Sequence, residues 1–280
     1  MTKPVALITG CTKGGIGYSF CEQFAKNGYQ VYATARRVES MEGLEELGCK
    51  LLRLDVTDNA SIKSVVDQVI TEAGQIDILI NNAGRPGNGA LMDIDLDDAR
   101  KCVETNVFGV LAVTRAVATH MAKRGSGKIA NIGSVVGYAS TPWAGVYAFS
   151  KAAVHSMTDA LRLELAPLGI QVILVAPGGV TSNFGNNAVT TIDIPEGSFY
   201  QSVANYILAR ANMSQGPGST PTDVFTAHVT KRLLRRSPPS YVTFGSNSFF
   251  FLMFYYLPFF VKDYFFSRRM GTIYVKRIAN

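Results

Sequence analysis

A tyrosine and a lysine four residues apart could carry acid–base chemistry. Tyr147 and Lys151 stand in the segment YAFSK, and a spacing of four places two side chains on one face of a helix. An ammonium beside a phenol lowers the pKa of the phenol, so Tyr147 could exchange a proton with a substrate oxygen near neutral pH. Ser134, thirteen residues earlier, could hydrogen-bond a carbonyl oxygen that gains negative charge. The spacing predicts proton transfer at a substrate oxygen.

A glycine-rich turn, TGCTKGGIG, lies directly after the first apolar run of the sequence. Glycines let the backbone approach a pyrophosphate and place it at a helix N-terminus, where free amides and the helix dipole favour anions. Such turns are often purely structural, but the position between a first strand and a first helix favours phosphate binding. We therefore predict a dinucleotide-phosphate site at Gly10, Gly15, Ile16 and Gly17.

Two arginines stand about twenty residues further on, where NAD-binding folds usually carry an acid for the ribose hydroxyls. This chain has Arg36 and Arg37 in the segment ATARR, and a carboxylate is absent there. Guanidinium groups match a phosphate bidentately, so a 2′-phosphate is favoured and the predicted cofactor is NADP(H). Lys13, inside the turn, adds a second cation. The alternative is a pair of solvated arginines after a strand.

The elements that must position these residues alternate between strand and helix patterns. Short apolar, β-rich runs predict buried strands at Val5–Thr9, Gln30–Ala35, Lys50–Leu54, Ile76–Ile80, Lys128–Ile132, Gln171–Val175 and Tyr241–Phe244. Amphipathic stretches predict helices at Gly17–Asn27, Ser61–Ala73, Asp97–Lys123 and Val146–Leu168. The alternation predicts an α/β fold of the Rossmann type, a doubly wound seven-strand parallel sheet with helices on both faces.

Six short motifs occur in chain order at spacings typical of one family. They are DV at Asp55–Val56, NNAG at Asn81–Gly84, NVFG at Asn106–Gly109, SVVG at Ser134–Gly137, YAFSK at Tyr147–Lys151 and PG at Pro177–Gly178. Over residues 3–247 the chain resembles the short-chain dehydrogenase/reductase family. The resemblance implies an NADP-dependent oxidoreductase acting on CH–OH or C=O groups, with Tyr147 as acid/base and Ser134 at the carbonyl oxygen. It also implies that Lys151 binds the nicotinamide ribose and that Asn106 holds a water linking Lys151 to solvent.

The resemblance further implies a set of cofactor contacts. These are Asp55, Val56, Asn82, Ala83, Pro177, Val180 and Ser182. The first two would face the adenine, the next two would line the cofactor groove, and Val180 with Ser182 would hold the carboxamide. Arg115 is a further candidate for a cofactor-side role, with a surface or interface arginine as the alternative. One residue more than the family usually has separates Gly10 from Gly15, which leaves open which amides meet the pyrophosphate.

Positive charge is concentrated at the C-terminal end of the chain. The formal net charge is +6, and residues 226–280 hold nine Lys or Arg against the single acid Asp263. The same stretch contains the apolar run Phe249–Val261, which is shorter than the roughly 20 residues of a spanning helix. Aromatic clusters flanked by cations suit insertion into one leaflet. We predict a catalytic domain over 1–247 with a substrate lid over 181–222, followed by an aromatic, basic, membrane-associating tail over 248–280. The alternative is that the tail covers the substrate cleft or a dimer seam.

The turn, the ATARR segment and the tail together resemble a fungal branch of the family, the 1-acyldihydroxyacetone-phosphate reductases. The resemblance implies an acylated glycerone phosphate as the ketone, and Arg210 or the tail could meet its phosphate. The basic, aromatic tail predicts attachment to the cytosolic face of the endoplasmic reticulum or to lipid droplets, with the cytoplasm as the alternative, and we expect a homodimer or homotetramer. Two other functions stay open: a hydroxysteroid or retinol-type dehydrogenase, and a non-catalytic cofactor-binding scaffold on lipid droplets.

Several other classes of site are not indicated by the sequence. The four cysteines form no C-x-x-C pair and the three histidines are well separated, so neither a metal site nor a disulfide framework is expected. We find no groove-entering motif for nucleic acid. Ser134 and His155 could suggest a nucleophile pair, but the chain has no G-x-S-x-G elbow and a hydrolase is not supported.

Overall fold

Seven parallel strands form one sheet. A computed structural model describes residues 3–185 and 192–276 of the chain. The strands are β1 (Val5–Thr9), β2 (Gln30–Ala35), β3 (Lys50–Arg53), β4 (Ile78–Asn81), β5 (Gly127–Ile132), β6 (Ile170–Pro177) and β7 (Tyr241–Phe244). Their order in the sheet is β3-β2-β1-β4-β5-β6-β7, and every neighbouring pair is parallel. The predicted doubly wound Rossmann-type sheet is confirmed.

Helices cover both faces of this sheet. They include α1 (Ile16–Lys26), α2 (Asn59–Ala73), α3 (Leu96–Val103), α4 (Gly109–Arg124), α5 (Gly145–Leu165), α6 (Ala204–Ala211), α7 (Thr222–Leu233), α8 (Ser248–Tyr256) and α9 (Phe259–Arg269). Side chains alternate across a strand, so Ile8 of β1 packs in the apolar cluster of α1 and α7. Its neighbour Leu7 packs in the cluster of α2, α4 and α5 on the other face.

A π-helical turn interrupts the helix that the sequence predicts over Asp97–Lys123. The turn spans Glu104–Phe108, between α3 and α4. Inside it, the Asn106 amide bonds both backbone groups of Arg85: its Oδ1 accepts from the amide at 2.8 Å and its Nδ2 donates to the carbonyl at 3.0 Å. Single π-helical turns inside α-helices are frequent at functional sites. The predicted helix is confirmed over this range, and the π-helical turn, which the sequence did not predict, brings Asn106 to the backbone of Arg85.

The segment predicted as a lid, 181–222, begins and ends beside β6. Thr181 donates its amide to the carbonyl of Thr220 at 3.0 Å, which closes the base of the segment. It is not one long loop, because it contains α6, and Ile207 of that helix is fully buried. Residues 186–191 of the predicted lid lie outside the described residues.

The two helices after residue 247 pack on the catalytic domain. Phe251 and Phe254 of α8 and Phe266 of α9 are buried in an apolar cluster that also contains Trp143. The Trp143 indole donates to the carbonyl of Met270 at 2.7 Å. The sequence-based boundary at residue 247 therefore cuts through a shared apolar cluster. Of the helices in the described part of the chain, none has the length and apolar character needed to cross a membrane.

Candidate active site

A cleft of about 670 Å³ opens at the carboxyl ends of the strands. In open parallel sheets ligands bind at this edge, because the loops that leave neighbouring strands diverge there. The cleft brings together Ser134, which follows β5, and Tyr147 and Lys151, which lie on α5. These three side chains define what we call the reaction end of the cleft.

Lys151 is fixed beneath Tyr147. Its Nζ donates to the carbonyl oxygen of Ile132 at 2.8 Å and lies 5.7 Å from the centre of the Tyr147 ring. Both residues belong to α5, so the four-residue spacing places them on one helix face as the sequence predicts. The Ser134 hydroxyl accepts the amide of Val136 at 3.3 Å, which orients it at the start of the next turn.

Burial dominates the electrostatics of this pair. It raises the pKa of Tyr147 to about 12, although the Ser134 hydroxyl and the Arg210 guanidinium both act to lower it. Burial also lowers the pKa of Lys151 to about 8. The expectation of a lowered Tyr147 pKa is not met in the protein by itself, because desolvation outweighs the effects of Ser134 and Arg210. Tyr147 is protonated at neutral pH and can act as a proton donor.

Asn106 lies behind the reaction end and does not line the cleft. It is fully buried, and besides bonding Arg85 it donates to the Ser150 hydroxyl at 3.0 Å. Ser150 in turn donates to the carbonyl oxygen of Tyr147 at 2.7 Å. Asn106 thus connects the π-helical turn to the start of α5, and its part in a water relay remains a prediction.

The glycine-rich turn forms the floor of the cleft at Gly10, Gly15 and Ile16. Gly10 has a φ of +73°, and a Cβ there would lie 2.7 Å from the Cα of Ala83. The Gly15 amide is occupied by the carbonyl of Thr12 at 3.0 Å, so the free donors are the first-turn amides of α1, from Ile16 onward. Gly17 does not line the cleft, since it packs against Gly10 and the Asn82 side chain.

Arg36 and Arg37 line the cleft together with Asp55, and we call this part the ribose end. Burial opposes charge on Asp55, but hydrogen bonds from Thr57 and the nearby Arg36 outweigh it and lower the Asp55 pKa. Lys13 is not brought to the ribose end. It is exposed, does not line the cleft, and its Nζ pairs with the Glu42 carboxylate at 3.0 Å.

The remaining predicted cofactor residues divide between cleft and surface. Those that line the cleft are Val56, Asn82, Ala83, Pro177, Val180 and Ser182. Asn82 is fixed by its Nδ2, which donates to the carbonyl oxygens of Thr9 and Gly10 at 2.9 and 3.0 Å. Arg115 is exposed on α4 and does not line the cleft. Its position agrees with the alternative interpretation, a surface arginine.

Three cleft residues at the reaction end lie far from the motifs in sequence. The ring of Phe184 is tilted against that of Tyr147, with centroids 5.5 Å apart. Phe251 of α8 contributes an apolar wall from the tail, and Arg210 of α6 contributes a cation. The sequence offered Arg210 only as one basic residue near the lid, and no spacing pointed to Phe184 or Phe251.

His155 does not form a nucleophile pair with Ser134. Its Nε2 accepts the backbone amide of Ser134 at 3.4 Å rather than a proton from the hydroxyl. Burial, assisted by the charge of Lys151, lowers the pKa of His155 to about 4, so the imidazole is neutral at neutral pH. The geometry supports Tyr147, not a serine nucleophile, as the reactive group.

Known proteins with this sequence pattern are oxidoreductases. Residues 4–193 match the sequence model of the short chain dehydrogenase family. The chain is 39% identical over 210 residues to the NADPH-dependent 1-acyldihydroxyacetone phosphate reductase of Schizosaccharomyces pombe, covering 74% of this chain and 71% of that protein. It is 37% identical over 188 residues to the 3-ketodihydrosphingosine reductase of Bacteroides thetaiotaomicron, covering 67% of this chain and 68% of that protein.

Solved structures show the same relationship. A short-chain dehydrogenase from Streptomyces avermitilis superposes with a TM-score of 0.80 at 27% identity, covering 98% of this chain and 97% of that one. The closed form of a serine dehydrogenase in complex with NADP⁺ superposes with a TM-score of 0.73 at 27% identity, covering 86% and 94%.

Proposed function

The chain belongs to the short-chain dehydrogenase/reductase family as an NADP(H)-dependent oxidoreductase of CH–OH and C=O groups, and from this premise we propose that it reduces 1-acyldihydroxyacetone phosphate to 1-acylglycerol 3-phosphate. The observation that carries the proposal is the composition of the reaction end. Phe184, Met213 and Phe251 offer apolar walls for an acyl chain, and Arg210 offers a cation for a phosphate. The likeness to the Schizosaccharomyces pombe reductase supports the same substrate.

The residues that line the cleft suit the phosphate groups of NADPH. The close approach of Gly10 to Ala83 leaves no room for a side chain, so the turn presents bare backbone and the amides at the start of α1 to a pyrophosphate. Arg36 and Arg37 offer the guanidinium groups that suit a 2′-phosphate. When bound, NADPH supplies the hydride that the ketone carbon accepts.

The chain's own residues supply the proton and the stabilising charge. Tyr147 donates its phenolic proton to the ketone oxygen, and the Ser134 hydroxyl hydrogen-bonds that oxygen as negative charge develops. The Lys151 ammonium, held by the Ile132 carbonyl, favours the tyrosinate that remains. Because burial keeps the Tyr147 pKa near 12, the phenol carries its proton when a ketone arrives at neutral pH.

The substrate assignment is tested by following NADPH oxidation with a panel of ketones. We expect 1-acyldihydroxyacetone phosphate to have the highest kcat/KM, above a steroid ketone, retinaldehyde and 3-ketodihydrosphingosine. The last compound is included because a relative of this chain is named for it. A higher kcat/KM for a ketone without phosphate would contradict the proposed substrate and leave the family chemistry intact. Oxidation with none of them would favour the cofactor-binding scaffold.

We also propose that the outer surface of α8 and α9 attaches the enzyme to an anionic membrane surface. Phe249, Phe259 and Phe260 are 76%, 80% and 73% exposed. Cations lie among these rings on the same helix pair, as Lys262 is 4.9 Å from the Phe259 ring centre and Arg268 stacks on Tyr264 at 3.8 Å. Inserted aromatic side chains and cations near anionic headgroups together give reversible attachment.

Vesicle sedimentation tests this attachment. We expect the protein to sediment with phosphatidylcholine vesicles that contain phosphatidylserine and less with phosphatidylcholine alone. The double variant Phe259→Ser, Phe260→Ser should stay in the supernatant. Leu96→Ser is the matched control, because Leu96 is an exposed apolar residue of α3, outside the tail. Equal sedimentation of both variants would show that the tail is not the attachment site.

A further inference from the structure

Charged side chains of the cleft differ in whether a carboxylate neutralises them. Arg85 and Lys101 both pair with Asp98, at 3.5 and 3.1 Å. Arg36, Arg37 and Arg210 also line the cleft, and none of them forms an ion pair with a carboxylate of residues 3–185 or 192–276. Two of these arginines lie at the ribose end, where the charge of Arg36 acts on Asp55, and the third lies at the reaction end.

Arg210 is held in place beside the acid/base. It projects from α6, and its Nε donates to the hydroxyl of Thr141 at 2.8 Å. Thr141 is itself only 3% exposed, so the contact is rigid. Arg210 and Tyr147 both line the cleft, and the charge of each influences the pKa of the other.

Arg210 is partly buried, and a cation removed from water costs folding free energy unless a partner neutralises it. Burial lowers the pKa of Arg210 only to about 10, so the side chain keeps its charge at neutral pH. No described carboxylate supplies the counter-charge. The side-chain arrangement therefore suits an anion that arrives with the substrate.

We propose that Arg210 is the residue that selects a phosphate-bearing ketone, binding the substrate phosphate while Tyr147 protonates the ketone oxygen. This inference rests on the proposed function. In an acylated glycerone phosphate, one methylene and one ester oxygen separate the ketone carbon from phosphorus, so phosphate and carbonyl oxygen must be recognised side by side. Thr141 takes the Nε of Arg210 and leaves the two terminal nitrogens for a bidentate contact with phosphate oxygens.

The test compares 1-acyldihydroxyacetone phosphate with its dephosphorylated counterpart, 1-acyldihydroxyacetone. In Arg210→Gln we expect kcat/KM for the phosphorylated ketone to fall about 30- to 100-fold, chiefly through KM, as for a lost charged hydrogen bond. We expect kcat/KM for the dephosphorylated ketone to fall by a smaller factor, because there only the effect of the guanidinium on Tyr147 is lost. Arg210→Lys keeps the positive charge but lacks the planar guanidinium. Its kcat/KM for the phosphorylated ketone should lie between those of the wild type and Arg210→Gln. Arg115→Gln is the control, because Arg115 is exposed and outside the cleft.

A second readout is inhibition by a phosphate compound that carries no ketone. Glycerol 3-phosphate, added as an inhibitor, should compete with the ketone in the wild type and lose its effect in Arg210→Gln. NADPH binding, followed by its fluorescence, should be unchanged in every variant. If Arg210→Gln does not fold, the same comparison is decided by Arg210→Lys.

Three other outcomes would contradict either the proposed substrate or the proposed role of Arg210. If the wild type prefers the dephosphorylated ketone, the proposed substrate is wrong and the inference fails with it. If the wild type prefers the phosphate but Arg210→Gln keeps that preference, the inference fails and the proposed function stands. An equal loss for both ketones overturns the inference, since Arg210 would then act on proton transfer by Tyr147.

Discussion

The Lys151 ammonium lies 5.7 Å from the centre of the Tyr147 ring, and burial disfavours the charged form of both groups. Burial raises the pKa of the phenol to about 12 and lowers that of the ammonium to about 8. At neutral pH the protein therefore holds a protonated phenol over a protonated amine. This state suits proton donation to a ketone rather than proton removal from an alcohol.

Replacing Tyr147 by Phe should abolish turnover, because only the proton donor is lost. We expect kcat to fall by about 10³-fold or more, within the range of general acid catalysis and lost positioning. NADPH affinity, measured by fluorescence titration, should change little. Phe184→Leu is a matched control, since it removes an aromatic ring beside Tyr147 without removing a proton donor. A tenth of the rate remaining in Tyr147→Phe would show that another group donates the proton.

Replacing Lys151 by Met should raise stability while it lowers activity. The folded-state pKa is depressed to about 8, so at pH 7 the folded protein carries a buried charge. We expect the free energy of unfolding to rise by on the order of 1–3 kcal/mol at pH 7, since each pKa unit corresponds to about 1.4 kcal/mol. Between pH 8 and 10.5 the unfolded wild-type chain binds more protons than the folded one, so the stability of the wild type should increase with pH. The difference in free energy of unfolding between Lys151→Met and the wild type should therefore become smaller.

Urea unfolding at pH 7 and pH 10 measures this effect. Lys63→Met is the control, because Lys63 is exposed on α2. Its stability should follow that of the wild type at both pH values. A loss of stability in Lys151→Met at pH 7 would mean that the hydrogen bond to Ile132 outweighs the cost of burying the charge.

Changing Arg36 to Ala and Arg37 to Asp should remove most of the preference for NADPH over NADH. A new acid would repel a 2′-phosphate and accept hydrogen bonds from ribose hydroxyls. We expect the ratio of kcat/KM values for the two cofactors to fall by about 100-fold. Lys13→Ala should change this ratio far less, because Lys13 pairs with Glu42 outside the cleft. Equal use of both cofactors by the wild type would contradict the assignment of the arginines.

Replacing a buried aromatic ring of the tail by alanine should lower the free energy of unfolding far more than replacing an exposed one. Phe254→Ala should lower the free energy of unfolding by about 3–5 kcal/mol, because Phe254 is buried in the apolar cluster that contains Trp143. Phe259→Ala should change it by less than about 0.5 kcal/mol, since that ring is 80% exposed. Equal stability of the two variants, by chemical denaturation, would mean that the tail does not pack on the domain in solution.

Shortening the chain tests the same packing. The sequence alone predicts that a protein ending at Gly245 remains folded and active on a small ketone. The structure predicts the opposite, because Phe251 forms part of the cleft wall and Met270 accepts the Trp143 indole hydrogen bond. A chain ending at Lys276 is the control and should keep its stability and activity. An active, stable protein ending at Gly245 would restore the prediction from the sequence.

The sheet could be predicted from the sequence because its signals are local. Buried strands such as β1 and β6 are continuous apolar runs, and the turn after β1 places its glycines by short-range geometry. The placement of Tyr147 and Lys151 was predictable for the same reason, because a spacing of four residues puts two side chains on one face of a helix. The motifs that follow β4, β5 and β6 meet in the cleft because parallel strands end at the same edge of the sheet.

Contacts between distant segments were not predictable. In the π-helical turn, Asn106 accepts a hydrogen bond from the backbone amide of Arg85. Lys13 pairs with Glu42, 29 residues away, and this ion pair holds its ammonium outside the cleft. Arg210 reaches Tyr147 from a separate helix in the predicted lid. In α8 nearly every residue is apolar, so no periodicity distinguishes its packed face from its exposed face. The sequence could therefore not decide between a free tail and one that covers the cleft.

Hydride transfer to the proposed ketone is tested most directly by isotope labelling. The full chain is incubated with 1-acyldihydroxyacetone phosphate and NADPH that carries deuterium at the transferred position of the nicotinamide, and the product is analysed by mass spectrometry. We expect 1-acylglycerol 3-phosphate with one deuterium on the former ketone carbon, and no such product from Tyr147→Phe. Unlabelled product, or no product from the wild type under conditions where NADPH is bound, would contradict it.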